Sequence, residues 1–286
     1  MPRLLTTIPE VRDAISTCRK QNGDEAKIGF VPTMGALHRG HAALIEAAAA
    51  ECETVIVSIF VNPTQFAPHE DLDKYPRTLE ADLELCDEYG AAIVFHPSAK
   101  EMYPPEFRSV VDVEGVTGLL EGEHRPTHFQ GVTTVVMKLF NIVQADRAYF
   151  GQKDYQQQMV IRKMVEDLNL PVEIVTVPTW RDPDGLALSS RNKFLSSTER
   201  EQALVLSRVL KSTADRIRTG ETDFQMLVTQ AIVEITETGL KPDYFSIANT
   251  KTLEKLQAPL AEMVLLVAAY AGSTRLIDNS TVSLSH

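Results

Sequence analysis

The chain has 286 residues, 44% of them hydrophobic and 23% charged, proportions that exclude a disordered, collagenous or low-complexity protein. Its 28 Lys and Arg stand against 39 Asp and Glu, a net charge of −11. The broad basic field that duplex nucleic acid requires is therefore missing, although a local basic pocket for one anionic ligand remains compatible with it.

The first part of the chain alternates short apolar runs with helical patterns. Lys27–Pro32 (KIGFVP) reads as a strand and Gly40–Cys52 as an Ala-rich helix. Thr54–Val61 (TVIVSIFV) is almost wholly apolar, as a strand buried on both faces should be. A helix over Pro76–Tyr89, a strand over Ala91–Phe95, a helix over Val132–Val143 and a strand over Arg147–Phe150 follow. A helix over Gln156–Leu168 and a strand over Val172–Val177 complete this part. The alternation predicts a doubly wound parallel sheet, Rossmann-like, with helices on both faces.

After Pro183-Asp184-Gly185 the grammar changes. Helices over Thr198–Arg218 and Phe224–Thr238 precede strands near Tyr244–Ala248 and Met263–Tyr270, which predicts a smaller C-terminal α+β domain. The boundary is expected near Pro178, giving domains over 1–178 and 179–286. Cys18, Cys52 and Cys86 form no CxxC pair and no disulfide framework. The N-terminus lacks the apolar core of a signal peptide, and no run approaches the roughly 18 apolar residues of a membrane span. A reduced, cytoplasmic chain without membrane or nucleic-acid partners is expected.

The richest stretch, Phe30-Val31-Pro32-Thr33-Met34-Gly35-Ala36-Leu37-His38-Arg39-Gly40-His41, joins the first of these strands to the first long helix. Ligands of open α/β sheets bind at such carboxyl ends, and N–H groups at a helix start attract phosphate. His38 and His41 are three residues apart, so both can face one ligand across the first helical turn. Each histidine alone also reads as a solvated cap or a satisfied core residue, and zinc is a further reading, although HExxH is absent. Gly35 and Gly40 have Walker A spacing, but His41-Ala42 stands where Lys and Ser/Thr belong, and no GxGxxG occurs.

A second cluster, Phe150-Gly151-Gln152-Lys153-Asp154-Tyr155-Gln156-Gln157, again follows a strand, where Lys153 offers a charge for phosphate and Gln157 an amide. It reads equally as a polar turn before a helix. In the third, Gly185 to Asn192, Ser189, Ser190 and Arg191 make either a polyphosphate clamp or ordinary helix-start chemistry. Asn62 and Gln65 follow a buried strand and can aim amides into the same crevice. Asp82 suits either Mg²⁺ or a solvated helix face.

Taken together, PTMGALHRGH, SIFVNPTQF, DLDKYPRTLEAD, RPTHFQGV, FGQKDYQQ and DGLALSSRN resemble the pantothenate synthetase (pantoate–β-alanine ligase) family, in family order over roughly residues 27–195. The first also resembles the HIGH motif of class I aminoacyl-tRNA synthetases and related nucleotidylyltransferases, and SSRN stands where those carry KMSKS. The resemblance implies an ATP site on Met34, Gly35, Ala36, Leu37, His38, Arg39, Gly40 and His41, on Gly151, Gln152, Lys153 and Asp154, on Trp180, and on Leu188, Ser189, Ser190 and Arg191. It implies catalytic roles for His41, His38, Lys153 and Asn62, pantoate binding by Gln65 and Gln157, β-alanine near Gln65, and Mg²⁺ at Asp82. The chain departs from the family pattern at Thr64 (for Met), Gln152 (for Glu) and Trp180 (for a smaller apolar residue), and its C-terminal match is mainly Arg275–Asn279 (RLIDN).

The implied reaction activates pantoate with ATP as pantoyl adenylate, which β-alanine then captures to give pantothenate and AMP. A cytoplasmic homodimer whose C-terminal domain acts as a lid is expected on the same ground. Rival readings are an adenylate-forming ligase or nucleotidylyltransferase for another small acid, and a non-catalytic nucleotide sensor. A tRNA synthetase is disfavoured by the acidic charge.

Overall fold

The computed structural model describes residues 1–23, 26–66 and 72–284. Asp71, which opens the DLDKYPRTLEAD motif, lies outside the described residues. The chain divides into two compact units, one of residues 1–151 and 157–178 and the other of residues 152–156 and 179–286.

The first unit runs β1 (Arg3–Leu5), α1 (Ile8–Asn22), β2 (Ile28–Thr33), α2 (Arg39–Glu51), β3 (Thr54–Ile59), α3 (Leu79–Glu88), β4 (Ile93–Phe95), α4 (Ala99–Met102), α5 (Glu121–His124), α6 (His128–Val143), β5 (Arg147–Gly151), α7 (Tyr155–Asp167, its first two residues grouped with the other unit) and β6 (Glu173–Val177). The strands form one parallel sheet in the order β1-β4-β3-β2-β5-β6. Strand side chains alternate between faces, and this sorts the core into two layers. Ile28, Phe30, Ile56, Phe95 and Phe150 pack with α1, α6 and α7, whereas Val31, Val55, Val57, Val94 and Tyr149 pack with α2 and α3. Helices therefore cover both faces, which is why these strands read as continuous apolar runs. Phe30 and Phe140 meet edge-on at 6.4 Å, and burying each such ring stabilises the layer by about 1.5–3 kcal/mol.

From β2 the chain winds outward through β3 to β4, then returns to the other side of β2 as β5. The order thus reverses between β2 and β5, and the crevice outside their carboxyl ends is where such sheets bind ligands. The segment leaving β2 toward this crevice contains His38 and His41.

Sequence patterning missed β1 and α1, although Thr7 and Glu10 form a capping box at the start of α1. The strand over Thr54–Val61 ends earlier, at Ile59, because Phe60–Asn62 leave the sheet to enter a 3₁₀ turn at Pro63–Gln65.

The second unit carries α8 (Ser197–Arg218), α9 (Phe224–Glu237), β7 (Lys241–Asn249), β8 (Glu262–Ala271) and β9 (Thr274–Ser283). The strands form an antiparallel meander, β7-β8-β9. Leu206, Leu210 and Ile217 of α8 and Leu227 and Ile235 of α9 share a core with Leu265, Val267 and Val282 of the sheet. This is an α+β unit in which β9, absent from the sequence-based elements, is a full edge strand. Among the described residues no helix is long and apolar enough to cross a membrane.

Candidate active site

Between β2 and α2 the backbone is left-handed at two successive residues, Gly35 (φ +81°) and Ala36 (φ 52°). Glycine adopts this freely, whereas alanine there costs of order 1–3 kcal/mol. A Cβ at position 35 would stand 3.0 Å from Ile59 Cγ2 and 3.1 Å from Asp82 Oδ2, so those side chains would have to give by a few tenths of an ångström. The strained turn is held by Asp82, which is 2% exposed. Its Oδ2 accepts the Ala36 N–H (3.0 Å), and its Oδ1 accepts the Leu37 N–H (2.8 Å) and the Thr78 hydroxyl (3.1 Å). Asp82, expected to meet Mg²⁺, has its oxygens committed to this loop. Among the described residues no group of three or more His, Cys, Asp or Glu is arranged to hold a metal.

His38 is the N-cap of α2, and it forms a reciprocal capping box with His41. The Gly40 N–H donates to His38 Nδ1 (3.1 Å), and the His38 N–H donates to His41 Nδ1 (3.3 Å). Acceptance at Nδ1 puts the proton of each neutral ring on Nε2. The two half-buried rings lie 4.2 Å apart, so two Nε2–H donors sit at a helix N-terminus, where the backbone dipoles also favour an anion. Arg39 lies apart from them along the helix, its guanidinium 3.4 Å from Glu46 and stacked 4.8 Å over the Tyr89 ring.

At the end of β3, Asn62 caps the 3₁₀ turn and is 1% exposed. Its Oδ1 accepts from the Thr64 N–H (3.3 Å), the Thr64 hydroxyl (3.0 Å) and the Tyr103 hydroxyl (2.9 Å). Its Nδ2 donates to Gln65 Oε1 (3.1 Å) and to the Gly131 carbonyl (3.1 Å). Asn62 thus spends its polar groups on holding this turn together, one of its N–H groups fixing the Gln65 amide. Gln65 Nε2 in turn donates to Met34 Sδ (3.0 Å), which ties this turn to the loop after β2. Burial pushes the Tyr103 phenol up, against a smaller lowering by Thr64, so it stays a donor at neutral pH. Thr64, a departure from the family pattern, supplies two of the donors that hold Asn62.

RPTHFQGV carries no chemistry that its residue types alone reveal, and in the structure its residues hold the Gln65 turn. The Gln65 carbonyl meets His128 Nδ1 (3.0 Å) and accepts from Arg125 (3.3 Å). A Cβ at Gly131 would lie 2.4 Å from the Thr64 carbonyl oxygen, so only glycine lets α6 approach this turn. Gln157, on α7, is half-buried. None of this involves a thiolate: burial raises the thiol of Cys52 and pushes that of Cys86 up to about 12.

In the second unit, Lys153 lies in the 3₁₀ turn Gln152–Asp154, its ammonium 3.7 Å from the Asp154 carboxylate. Trp180 is 42% exposed, and its carbonyl accepts the Leu188 N–H (3.0 Å) beside the isolated bridge between Arg181 and Ala187. Ser189 caps the turn Ser190–Phe194, its hydroxyl accepting the Arg191 N–H (3.3 Å), and Asn192 Nδ2 donates to the Ala187 carbonyl (3.0 Å). Leu188 to Arg191 are all half-buried.

The pantoate-beta-alanine ligase family profile matches residues 3–281. A pantothenate synthetase of Moorella thermoacetica is 50% identical over 285 residues, 99% of this chain and 99% of that protein. The crystal structure of pantothenate synthetase from Thermus thermophilus superposes with a TM-score of 0.89 at 46% identity, covering 97% of this chain and 98% of that one. A pantoate-beta-alanine ligase from Francisella tularensis, complexed with beta-gamma ATP and beta-alanine, superposes with a TM-score of 0.79 at 37% identity, covering 98% and 97%. With sequence likeness and fold agreeing over nearly its whole length, the chain belongs to the pantoate-beta-alanine ligase family.

Proposed function

We propose that the chain condenses (R)-pantoate with β-alanine in an ATP-dependent ligase reaction that passes through pantoyl adenylate. Family membership supports the overall condensation, and one contact supports the adenylate route. The Gln65 amide bonds Met34 Sδ at 3.0 Å, so the turn that would hold the acid adjoins the loop that would hold the nucleotide. A carboxylate held by that turn would face the nucleotide loop, as direct displacement on the phosphate chain requires.

In this reading the pantoate carboxylate attacks the α-phosphorus of ATP and pyrophosphate leaves. The Nε2–H groups of His38 and His41 donate to phosphate oxygens, with His41 stabilising the negative charge that develops as pyrophosphate leaves. Lys153 and the Ser189-Ser190-Arg191 segment neutralise the remaining charge. This is electrostatic stabilisation by hydrogen-bond donors and cations, without covalent catalysis. Gln65 and Gln157 orient pantoate, and Asn62 is a positioning residue that acts through Gln65. The β-alanine amine then attacks the acyl carbon, forming the amide and releasing AMP.

Mg²⁺ accompanies ATP phosphates in most such reactions. A metal site at Asp82 does not fit its three accepted hydrogen bonds and its burial, so that residue is given no part in the chemistry. On family likeness alone we also propose a cytoplasmic homodimer. The test of the reaction is pyrophosphate release from ATP: it should require pantoate and not β-alanine, whereas AMP release should require both. Release with other small acids and not pantoate would reassign the substrate, and no release at all would leave a nucleotide sensor.

A further inference from the structure

The RLIDN stretch, Arg275–Asn279, matched the family pattern but has no part in the chemistry above. It lies on β9, where two of its polar residues are buried: Asp278 is 4% and Asn279 is 3% exposed. The two hydrogens of the Asn279 amide are both used. Nδ2 donates to the carbonyls of Gln152 (2.9 Å) and Lys153 (2.8 Å), consecutive residues of the turn that bears the Lys153 side chain. The Oδ1 of the same amide is buried without a partner. A buried acceptor left unmet disfavours folding, so the amide is placed here for its donors.

Asp278 holds the backbone of Asn279 on one side and a second segment on the other. Its Oδ1 accepts the Asn279 N–H (2.8 Å), and its carboxylate takes Arg181 in a bidentate pair (2.6 and 2.9 Å). Such forked pairs restrict direction as well as distance. Arg181 bridges to Ala187, whose carbonyl also accepts from Asn192, so the strand pairing brackets Leu188–Arg191. One pair of β9 residues thus braces both the Lys153 turn and the Ser189-Ser190-Arg191 segment, all within the second unit.

We propose that Asn279 is a positioning residue for the adenylation step, with Asp278 as its support: it sets the backbone from which Lys153 reaches phosphate and locks that turn to the segment carrying Ser189, Ser190 and Arg191. The inference rests on the reading of Lys153 as a phosphate-binding group. It also accounts for two charged or polar residues standing in buried positions of an edge strand.

The test compares pantoate-dependent pyrophosphate release by Asn279→Ala, Asn279→Ser, Lys153→Ala and the double variant Lys153→Ala/Asn279→Ala, with thermal melting of each. A displacement of about 1 Å costs roughly 100-fold, so Asn279→Ala should lower kcat by about 10- to 100-fold while the KM for pantoate stays within about twofold. Asn279→Ser, which keeps one donor, should fall between it and the parent. Because Asn279 acts through Lys153, the double variant should be no slower than Lys153→Ala alone. A parental rate in Asn279→Ala, or losses that multiply in the double variant, would overturn the inference. So would failure of both Asn279 variants to fold, which would assign the residue to stability alone. A parental rate in Lys153→Ala would instead overturn the reading of Lys153.

Discussion

His38 and His41 cap one another: the His38 N–H donates to His41 Nδ1, and His38 Nδ1 accepts the Gly40 N–H within the same helix start. The bond that finishes the helix is therefore also the bond that sets each ring's tautomer. Helix capping and catalysis draw on the same two imidazoles, and a change at either is felt in both.

His41→Ala should cut pyrophosphate release by roughly 10²–10³-fold, the usual contribution of a positioned donor to developing negative charge. The lost cap should lower stability by only about 1 kcal/mol. Single-turnover assays beside a thermal melt separate the two effects. A well-folded variant at near-parental rate would remove His41 from the chemistry.

Asp82→Asn keeps the shape but turns an N–H₂ group toward loop amides that need an acceptor. The expected loss is about 1–3 kcal/mol of stability together with a raised KM for ATP. Because the carboxylate holds backbone and not metal, raising Mg²⁺ should not rescue the variant. A Mg²⁺ titration that restored parental kinetics would return Asp82 to the metal.

Gly131→Ala should be costly although it adds one methyl group. The new Cβ would stand 2.4 Å from the Thr64 carbonyl oxygen, so α6 or the Asn62–Gln65 turn must shift. Overpacking of this kind costs about 1–3 kcal/mol. Pantoate affinity should fall with stability, while ATP affinity changes less. Calorimetry with each ligand decides this, and an unchanged pantoate affinity would contradict the role given to the turn.

Gln65→Ala should weaken pantoate binding by about 1–3 kcal/mol, since it removes the substrate contact, and the one Asn62 N–H left unmet should lower stability as well. Comparable losses for pantoate and ATP would point to general damage instead.

The sequence made the central sheet legible because strands covered on both faces are almost wholly apolar, as in Thr54–Ile59, where every residue is buried. It hid β9 because Asp278, Asn279 and Ser280 look like a loop until Arg181 and the carbonyls of Gln152 and Lys153 are in place to receive them. The start of α6 was hidden in the same way. The helix begins at His128, four residues before the apolar run at Val132, because its polar first turn grips the Gln65 backbone. Candidate site residues were visible as histidines, amides and a lysine at strand ends. Their mutual bonds were not, because Asn62, Gln65 and Met34 meet only through the folding of two separate loops.

The central claim is that pantoate attacks the α-phosphorus, and the fate of an oxygen label tests it most directly. Pantoate carrying ¹⁸O in its carboxylate should pass one label into AMP when β-alanine captures the adenylate, with unlabelled pyrophosphate as the other product. Label in inorganic phosphate, with ADP formed in place of AMP, would contradict the account even if pantothenate were made.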